Sequence, residues 1–317
     1  MGESEPAWVK YANAIGILAL LTGVIYFNPL GGSPSLPAIP SIPSIPSIFD
    51  SFRIQRGQPL DELAATLPNG CPAHKFKSVR HLSRAPDIMI IEGFLTPEEA
   101  DVLVEVAYLT LSSRANLFSD PLFEESKVVS YVDTGNLDKS YRDSWSAYLP
   151  EPENPPQSKQ HQVIRCIEDR ATRFQGHRPI VNLEALQVVK YHDKQQFREH
   201  TDWFDAELDE GVKTYGNRES SFFVYLVTNC TGGTTAFTKV PRPKAPEWCD
   251  VLVCHDEAGN ETEWVEVRPK VGTAIFWYNL DANGVGDEFT LHAGTPVING
   301  TKIGLNIWTR QKQWRLS

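Results

Sequence analysis

The chain has 317 residues, which is enough for one large domain or two small ones and enough to bury a hydrophobic core without cross-links. Lys and Arg number 30 and Asp and Glu number 40, so the net charge is −10 at pH 7, and no basic run compensates for it locally. This acidic balance argues against a nucleic-acid-binding protein, which needs a basic surface to contact phosphates. The cysteines lack the paired CxxC spacing of a zinc site and do not settle the redox compartment: Cys71, Cys166, Cys230, Cys249 and Cys254.

An apolar segment lies near the N-terminus. Residues 11–27 (YANAIGILALLTGVIYF) contain no charged side chain, and these 17 positions are at the short end of the roughly 17–25 residues that span a bilayer as a helix. Trp8 and Tyr26 stand where interfacial aromatic residues occur, and Lys10 is the only basic residue before the segment. The pattern predicts a membrane anchor over residues 1–28, with a cleaved signal peptide and a packed core helix as the alternatives.

Lys10 favours a cytoplasmic N-terminus, which would place the body of a single-pass membrane protein in the lumen of the endoplasmic reticulum or Golgi. Three Asn-x-Thr sequons, beginning at Asn229, Asn260 and Asn299, fit a lumenal glycoprotein. Because three such matches are close to chance in a chain of this length, they add little weight to that expectation.

Residues 29–70 form a Pro/Ser-rich linker, in which an Ile-Pro-Ser unit repeats from Ile39 to Ser47. Proline at every third position favours the extended polyproline II conformation, because proline has no N–H to donate to a helix or sheet. The sequence predicts a semi-rigid stalk that holds a globular body away from a membrane. A tail without a spacing role is the alternative.

The globular domain is expected over residues 71–317. Residues 88–91 (IMII) predict a short first strand. Thr96 and Glu99 have the spacing of a capping box, with proline at the first helical position and apolar residues following at helical spacing. A second helix is predicted over about residues 158–175, where a glycine ends it.

The period of the apolar residues changes beyond this second helix. Runs rich in β-branched and aromatic residues predict five short strands, at 186–191, 221–227, 264–267, 273–277 and 303–308. Helices followed by many short strands, with loops between the strands, indicate an α+β protein whose core is an antiparallel double-stranded β-helix, or jelly roll, with N-terminal helices packed on it. The mouth of such a barrel is a common place for a small ligand.

Three potential metal ligands lie in this strand-rich part: His200 and Asp202, two positions apart, and His292, ninety residues beyond Asp202. Two imidazoles and one carboxylate make up the facial triad that holds non-haem Fe(II) and leaves coordination positions open. Residues two positions apart on a strand point to the same face, so His200 and Asp202 could share one metal. Each residue alone has an ordinary explanation on a surface or in a loop, and only their combination predicts an iron site.

Lys302 follows the second histidine on the last predicted strand. Strand alternation puts Lys302 and Trp308 on one face and Ile303, Leu305 and Ile307 on the other. The apolar face is expected to pack inside the sandwich, which leaves Lys302 facing the pocket. A buried ammonium there would need an anionic partner, and the free carboxylate of a dicarboxylate co-substrate would supply one.

Two stretches of the chain carry a family resemblance. Residues 191–204 (YHDKQQFREHTDWF) and 292–310 (HAGTPVINGTKIGLNIWTR) resemble the signatures of the prolyl 4-hydroxylase alpha-subunit-like family of 2-oxoglutarate and Fe(II)-dependent dioxygenases. The resemblance covers roughly residues 88–310 and is to the short plant, algal and fungal type. The chain departs from the family pattern at Thr234, where Glu is usual, and at Arg310, where His or another residue is common.

The resemblance implies an enzyme that binds Fe(II) through His200, Asp202 and His292, takes 2-oxoglutarate and O₂ as co-substrates and uses ascorbate as a reductant. It assigns the distal carboxylate of 2-oxoglutarate to Lys302. Three more residues would contact the co-substrate: Tyr191 and Thr235 through hydrogen bonds and Trp308 as a pocket wall. Four others match positions near a peptide groove more loosely: Arg142, Ser144, Glu184 and Arg218.

Peptidyl proline is the family's commonest substrate, so the resemblance implies hydroxylation of an unactivated C–H with release of succinate and CO₂. Hydroxylation of a small molecule, such as a free amino acid or a secondary metabolite, is the alternative. The proline-containing loop 238–263 is expected to help form the substrate boundary. A catalytically silent binding module is a third reading, but such a module would not need the triad together with Lys302.

Overall fold

The computed structural model describes residues 70–109, 124–126, 143–152, 156–207 and 209–315. The predicted anchor, Arg142 and all of the predicted stalk except Gly70 lie outside the described residues. Within the described ranges, none of the helices combines the length and the apolar character needed to cross a bilayer.

Strands predominate in the described residues, and two of the three α-helices precede most of them. The elements in chain order are β1 Ser78–Arg84, β2 Asp87–Glu92, α1 Pro97–Leu109, β3 Glu124–Glu125, β4 Trp145–Tyr148, α2 Lys159–Phe174, β5 Gln187–Tyr191, β6 Phe197–His200, α3 Glu210–Tyr215, β7 Arg218–Gly232, β8 Thr235–Pro241, β9 Trp264–Val267, β10 Ala274–Tyr278, β11 His292–Gly294 and β12 Val297–Arg310. Short 3₁₀ turns lie at Ile180–Asn182, Pro246–Asp250 and Glu288–Thr290.

The strands form two antiparallel sheets. The large sheet has eight strands in the order β1-β2-β10-β7-β12-β5-β4-β3, and the small sheet has four in the order β6-β11-β8-β9. The chain crosses between the sheets repeatedly after β5, as a double-stranded β-helix requires. The predicted α+β fold with a jelly-roll core and packed N-terminal helices is therefore confirmed.

Helices α1 and α2 cover the outer face of the large sheet. Leu103 of α1 and Ile167 of α2 belong to one buried cluster together with Ile303, Leu305 and Ile307 of β12. The apolar face of β12 therefore packs beneath the helices and not between the two sheets, where the sequence alone predicts it. The helices supply a large apolar surface on that side, so the face that carries Lys302 turns inward.

A second buried cluster fills the space between the two sheets. Phe223 and Tyr225 of β7 and Trp277 of β10 meet Phe237 and Val265 of the small sheet there. The rings of Phe237 and Trp277 pack edge to face, with centroids 5.4 Å apart. This aromatic and apolar layer lies beneath the polar site.

The two strands that carry the histidine ligands were not predicted from the sequence. Phe197–His200 (FREH) and His292–Gly294 (HAG) contain few β-branched residues, so no local strand propensity marks them. They become strands because they pair with each other and with β8 in the small sheet. Four more strands were missed: β3 and β4 have only 2 and 4 residues, and β1 and β8 contain basic residues and lack a continuous apolar run.

Two disulfides form among the described residues. Cys71 pairs with Cys166 of α2, and Cys249 pairs with Cys254, while Cys230 is a half-buried free thiol. The first bond ties the start of the domain to a helix 95 positions away. Sequence spacing alone could not assign this pairing.

One buried ion pair joins the two large helices. The predicted capping box is present, since Thr96 and Glu99 exchange hydrogen bonds at 2.9 and 3.2 Å. Arg170 of α2 donates to both carboxylate oxygens of Glu99, at 2.8 and 2.6 Å, and to the carbonyl oxygen of Phe94 at 2.6 Å. Burial alone would raise the pKa of Glu99, but the hydrogen bonds and charge of Arg170 lower it. Glu99 thus caps one helix and fixes the other.

Replacing Arg170 by Met should destabilise the fold by about 3 kcal/mol, because it leaves a largely buried carboxylate without its cation. The free energy of unfolding, measured by chemical denaturation, tests this. Lys213→Met is the matched control, since its pair with Glu210 is exposed and should contribute less than about 1 kcal/mol. Similar losses in the two variants would contradict the assignment.

Candidate active site

The three predicted metal ligands lie together at the edge of the small sheet. His292 begins β11 and lies directly opposite His200, the last residue of β6. Asp202 lies in the bend that follows β6, so the bend and not strand alternation brings it to the histidines. Their potential ligand atoms are all within 4.8 Å of one another. The predicted grouping is thus present, with a different local cause for Asp202.

Backbone carbonyls orient both imidazoles. The Nδ1 atom of His200 is 2.8 Å from the carbonyl oxygen of Arg198, and that of His292 is 2.9 Å from the carbonyl oxygen of Thr290. A carbonyl oxygen only accepts hydrogen bonds, so in each neutral ring Nδ1 carries the proton and Nε2 carries the lone pair. Both rings are therefore in the tautomer that a metal ligand needs.

The carboxylate of Asp202 has one occupied and one available oxygen. Its Oδ2 accepts hydrogen bonds from the hydroxyl of Ser221 at 2.6 Å and from the indole N–H of Trp308 at 3.0 Å. Its Oδ1 lies 3.9 Å from Nε2 of His200. Two donors on one oxygen leave the other directed at the histidines, as a monodentate metal ligand would be.

The Asp202 carboxyl group is ionised at neutral pH. Burial would raise its pKa, but electrostatic interactions with His292, Arg218 and His200 and the hydrogen bond from Ser221 lower it to about 2. A protonated carboxyl group would be a poor metal ligand. The surroundings of Asp202 therefore keep it in the form that binds a cation.

A chain of hydrogen bonds holds Ser221 in place. The side-chain amide of Asn279 donates to the Ser221 hydroxyl oxygen at 2.9 Å, and the indole N–H of Trp277 donates to the Asn279 carbonyl oxygen at 2.7 Å. With its oxygen engaged by Asn279, the Ser221 hydroxyl directs its proton to Asp202. None of these three residues was predicted as part of the site, because the sequence marks them only by a serine pair that opens an otherwise apolar strand.

These residues fit Fe(II) by their chemistry. Two imidazole nitrogens and one carboxylate oxygen converge, and the remaining polar atoms of the three side chains are directed to other partners. This is the donor set of the facial triad, which leaves further coordination positions to ligands that do not come from the protein.

Lys302 forms the other end of the site. It is 1% exposed and lies opposite Tyr191 on one side and Thr228 on the other. Its ammonium donates to the carbonyl oxygen of Gly233 at 2.7 Å and lies 4.9 and 5.4 Å from the ring centroids of Tyr191 and Phe223. Burial lowers its pKa to about 8. An ammonium has three donors, so donors remain for a carboxylate in this aromatic surrounding.

The predicted co-substrate residues lie around these two ends. Tyr191 presents its ring to Lys302, and Trp308 donates to Asp202, which adds a polar role to the wall predicted for it. The Thr235 hydroxyl accepts a hydrogen bond from Tyr225 at 2.7 Å, so its own proton is available to another acceptor. Burial raises the pKa of Tyr225 well above the usual range of a phenol, so this hydroxyl stays a donor. Contacts of these residues with 2-oxoglutarate stay predictions.

Glu184 and Arg218, predicted to lie near a peptide groove, form a largely buried ion pair. Arg218 donates to both carboxylate oxygens of Glu184 at 2.8 Å, and Arg310 donates to one of them at 2.6 Å. Burial would raise the pKa of Glu184, but the two arginines lower it. The guanidinium of Arg218 lies 3.6 Å from the ring centroid of Trp308. The pair thus stands directly behind the tryptophan that contacts Asp202.

The other two predicted substrate residues are less informative. Ser144 is 1% exposed and donates to the hydroxyl oxygen of Ser126 at 2.9 Å. Arg142 lies outside the described residues. Nearby on β4, Tyr148 is 56% exposed and close enough to Arg218 to affect its electrostatics. Tyr148 is therefore a surface residue on the Arg218 side of the site, and no sequence motif predicts it.

Several known proteins are similar to this chain. Residues 186–310 match the family described as the 2OG-Fe(II) oxygenase superfamily. The chain is 28% identical over 73% of its length to probable prolyl 4-hydroxylase 6 of Arabidopsis thaliana, covering 71% of that protein, and 32% identical over 55% of its length to prolyl 4-hydroxylase subunit alpha-2 of Gallus gallus, covering 27%. Among solved structures, a viral collagen prolyl hydroxylase from Paramecium Bursaria Chlorella virus-1 aligns with 70% of this chain and 95% of that one, at 23% identity and a TM-score of 0.46.

Ser221→Ala should weaken Fe(II) binding by roughly 10- to 100-fold, because Asp202 loses a donor that orients it. Titration of the metal-free protein with Fe(II) under anaerobic conditions measures this without turnover. Ser220→Ala is the matched control, since the neighbouring hydroxyl donates to Gln175 on the opposite face of the strand. Equal Fe(II) affinities in the two variants would contradict the role of Ser221.

The Michaelis constant for 2-oxoglutarate should be level below about pH 8 and rise above it. The reason is that the buried ammonium of Lys302 loses its proton as the pH increases through its lowered pKa. Steady-state kinetics across this range test the prediction. A Cys230→Ser variant removes a nearby titrating thiol and should keep the same profile. A Michaelis constant independent of pH would argue against a charged Lys302 as the carboxylate partner.

Proposed function

We propose that this chain, whose residues 186–310 match the 2OG-Fe(II) oxygenase superfamily, is a prolyl 4-hydroxylase that modifies peptidyl proline. The observation that carries the proposal is the pairing of an ordered His200, Asp202, His292 triad with the buried ammonium of Lys302 in one barrel. A hydrolytic metal site would need the triad but not the buried lysine. Metal and dicarboxylate sites together are what a 2-oxoglutarate-dependent oxygenase requires.

The protein's own residues have separable tasks in this reaction. His200, Asp202 and His292 would hold Fe(II), which when bound supplies the oxidative chemistry: 2-oxoglutarate is converted to succinate and CO₂, and one oxygen atom enters a substrate C–H bond. Ser221 and Trp308 keep the carboxylate of Asp202 directed at the metal position. Fixing these groups in advance removes reorganisation from the catalytic step.

Lys302 would bind and orient the co-substrate. A carboxylate at its ammonium would meet a dry surface of Tyr191, Phe223 and Tyr225, where the ion pair is stronger than in water. The Thr235 hydroxyl, whose oxygen already accepts from Tyr225, has its proton free for the same ligand. Anchoring the far end of 2-oxoglutarate in this way directs its keto acid end to the triad.

Peptidyl proline as the substrate rests on two kinds of support. The similar curated proteins are named prolyl 4-hydroxylases. The neighbourhood of the triad also presents exposed aromatic side chains, Tyr148 and Phe289, at 56% and 55% exposure. Aromatic surfaces bind proline-containing peptides, because the extended peptide loses little entropy on binding.

Purified protein incubated with Fe(II), ascorbate, 2-oxoglutarate and proline-rich peptides should release succinate and add oxygen to the peptide in a one-to-one ratio. His200→Ala should abolish both products, because one imidazole ligand is lost, whereas Lys302→Ala should mainly raise the 2-oxoglutarate requirement. Succinate release and peptide mass are measured together. Turnover stimulated by free amino acids and by no peptide would overturn the proposed substrate, and full turnover by His200→Ala would overturn the iron site.

We also propose a lumenal location for the domain in the endoplasmic reticulum or Golgi, with residues 1–28 as a single membrane anchor. Disulfides persist in oxidising compartments, and the domain has two of them. The sequon residues Asn229, Asn260 and Asn299 are all exposed, as glycan acceptors must be. The N-terminal segment itself lies outside the described residues.

Expression in a eukaryotic cell should therefore give a membrane-bound, glycosylated chain. Treatment with an N-glycosidase should increase its electrophoretic mobility, and a variant with Asn229, Asn260 and Asn299 replaced by Gln should show no such change. Extraction at alkaline pH, which releases peripheral proteins, should leave the chain in the membrane. A chain that is unglycosylated and fully reduced in the cytosol would refute the location.

A further inference from the structure

The prolines of the predicted stalk are spaced more regularly than a simple spacer requires. Proline occupies every third position across five repeats: Pro34, Pro37, Pro40, Pro43 and Pro46. A polyproline II helix has three residues per turn, so this spacing would align the prolines along one face of such a helix. Residues 28–49 also contain no charged side chain. These residues lie outside the described part of the chain, and their sequence alone defines a neutral, repeating proline ligand.

An exposed apolar rim lies beside the metal ligands. Trp203 directly follows Asp202, and its indole N–H donates to the carbonyl oxygen of Asp287 at 3.1 Å. Gly286 packs under the Trp203 ring so closely that an added Cβ would lie 2.2 Å from it. The same loop exposes Val285 at 62% and Phe289 at 55% before it continues to the second histidine. This loop thus joins an apolar surface to both ends of the triad.

The apolar part of the rim suits a neutral proline-rich strand, because the acidic side chains beside it already have partners: Asp287 accepts a hydrogen bond from the backbone N–H of Phe289, and Glu288 pairs with Lys239. Extended proline segments bind on aromatic surfaces, with the rings packed against the flat faces of proline. A ligand without charges leaves no unpaired ion when it covers the apolar surface of Trp203 and Phe289. Because the prolines repeat every three residues, a shift of the bound strand by three residues places another proline at the same point of the site.

We propose that the proline repeat of a second copy of this chain is a substrate of the site, an inference that rests on the proposed prolyl hydroxylase function. In each event a ring C–H of one stalk proline becomes C–OH. One atom of O₂ enters that bond, and the other enters succinate. The oxidation of 2-oxoglutarate to succinate and CO₂ supplies two of the electrons that reduce O₂, and the C–H bond supplies the other two. Every molecule carries one stalk, so enzyme and substrate are present in equal amounts.

The test mixes two full-length copies. One is the unlabelled wild-type chain, and the other is an isotopically labelled His200→Ala chain, which has an intact stalk but no activity. After incubation with Fe(II), ascorbate and 2-oxoglutarate, cleavage after Phe27 and Phe49 releases the stalk, and mass spectrometry reads the labelled fragment. The labelled stalk should gain one oxygen atom per modified proline, at positions three residues apart, and should gain none when the His200→Ala chain is incubated alone.

An unrelated proline-rich peptide in the same mixture separates the two hypotheses. If that peptide gains oxygen and the labelled stalk does not, the inference about the stalk is overturned and the prolyl hydroxylase function stands. If neither gains oxygen, both fail. A labelled His200→Ala chain in which Pro40, Pro43 and Pro46 are also replaced by Ala is the matched control. It should lose the modification at those positions, while turnover of the unrelated peptide by the wild-type chain stays unchanged.

A synthetic peptide of residues 33–49 and a scrambled peptide of the same composition test the spacing. Because the three-residue period places successive prolines on one face, the native peptide should be turned over severalfold more efficiently than the scrambled one. Equal efficiency would overturn the role of the period. Replacing Phe289 by Ser should lower the efficiency for the native peptide while leaving Fe(II) affinity unchanged, since this side chain is exposed and is no part of the metal site.

Discussion

This site depends on one constraint, which concerns the buried carboxylate of Asp202. One of its oxygens must accept hydrogen bonds, and the other must stay available to a metal ion. Asp202 is 6% exposed, and a carboxylate at that depth without partners would take up a proton. Electrostatic interactions with His292 and Arg218 oppose this, as does the hydrogen bond from Ser221. The two side chains that donate to the carboxylate, Ser221 and Trp308, lie directly opposite each other on β7 and β12. The register of two central strands in the large sheet therefore sets the orientation of a ligand that lies in the bend after β6 of the small sheet. A slip of one residue would turn both donors to the helical face.

Strand β12 also provides the positive charge of Lys302, at the far end of the pocket. Lys302 and Trp308 share one face of β12, so the strand holds the cation for the co-substrate and the donor for the metal ligand in a constant relation. Around Lys302 the sheet supplies aromatic rings and one carbonyl, a surrounding that lowers the pKa of the lysine to about 8 and favours an anionic ligand. A bound dicarboxylate would supply the anionic partner of the Lys302 ammonium.

Behind Trp308 the buried charges alternate in sign. Glu184 accepts hydrogen bonds from Arg218 and Arg310, and the Arg218 guanidinium stacks on the indole that donates to Asp202. Each buried ion has an opposite neighbour, which is the condition under which such groups are tolerated in a core. Glu184 and Arg218, which match family positions near the peptide groove, are thus linked to Asp202 through Trp308. Substituting either residue should therefore change metal binding as well as substrate binding.

The sequence by itself determined the donor types, their order and the phase of Lys302 with Trp308, because strand alternation and helix capping are local rules. Those rules also located α1 through Thr96 and Glu99. Only the tertiary structure decided that Asp202 reaches the histidines from a bend, that β6 and β11 are strands, and that Ser221 directs the carboxylate. These features join residues that are distant in the chain, and such contacts arise from strand pairing and burial, which no local period encodes.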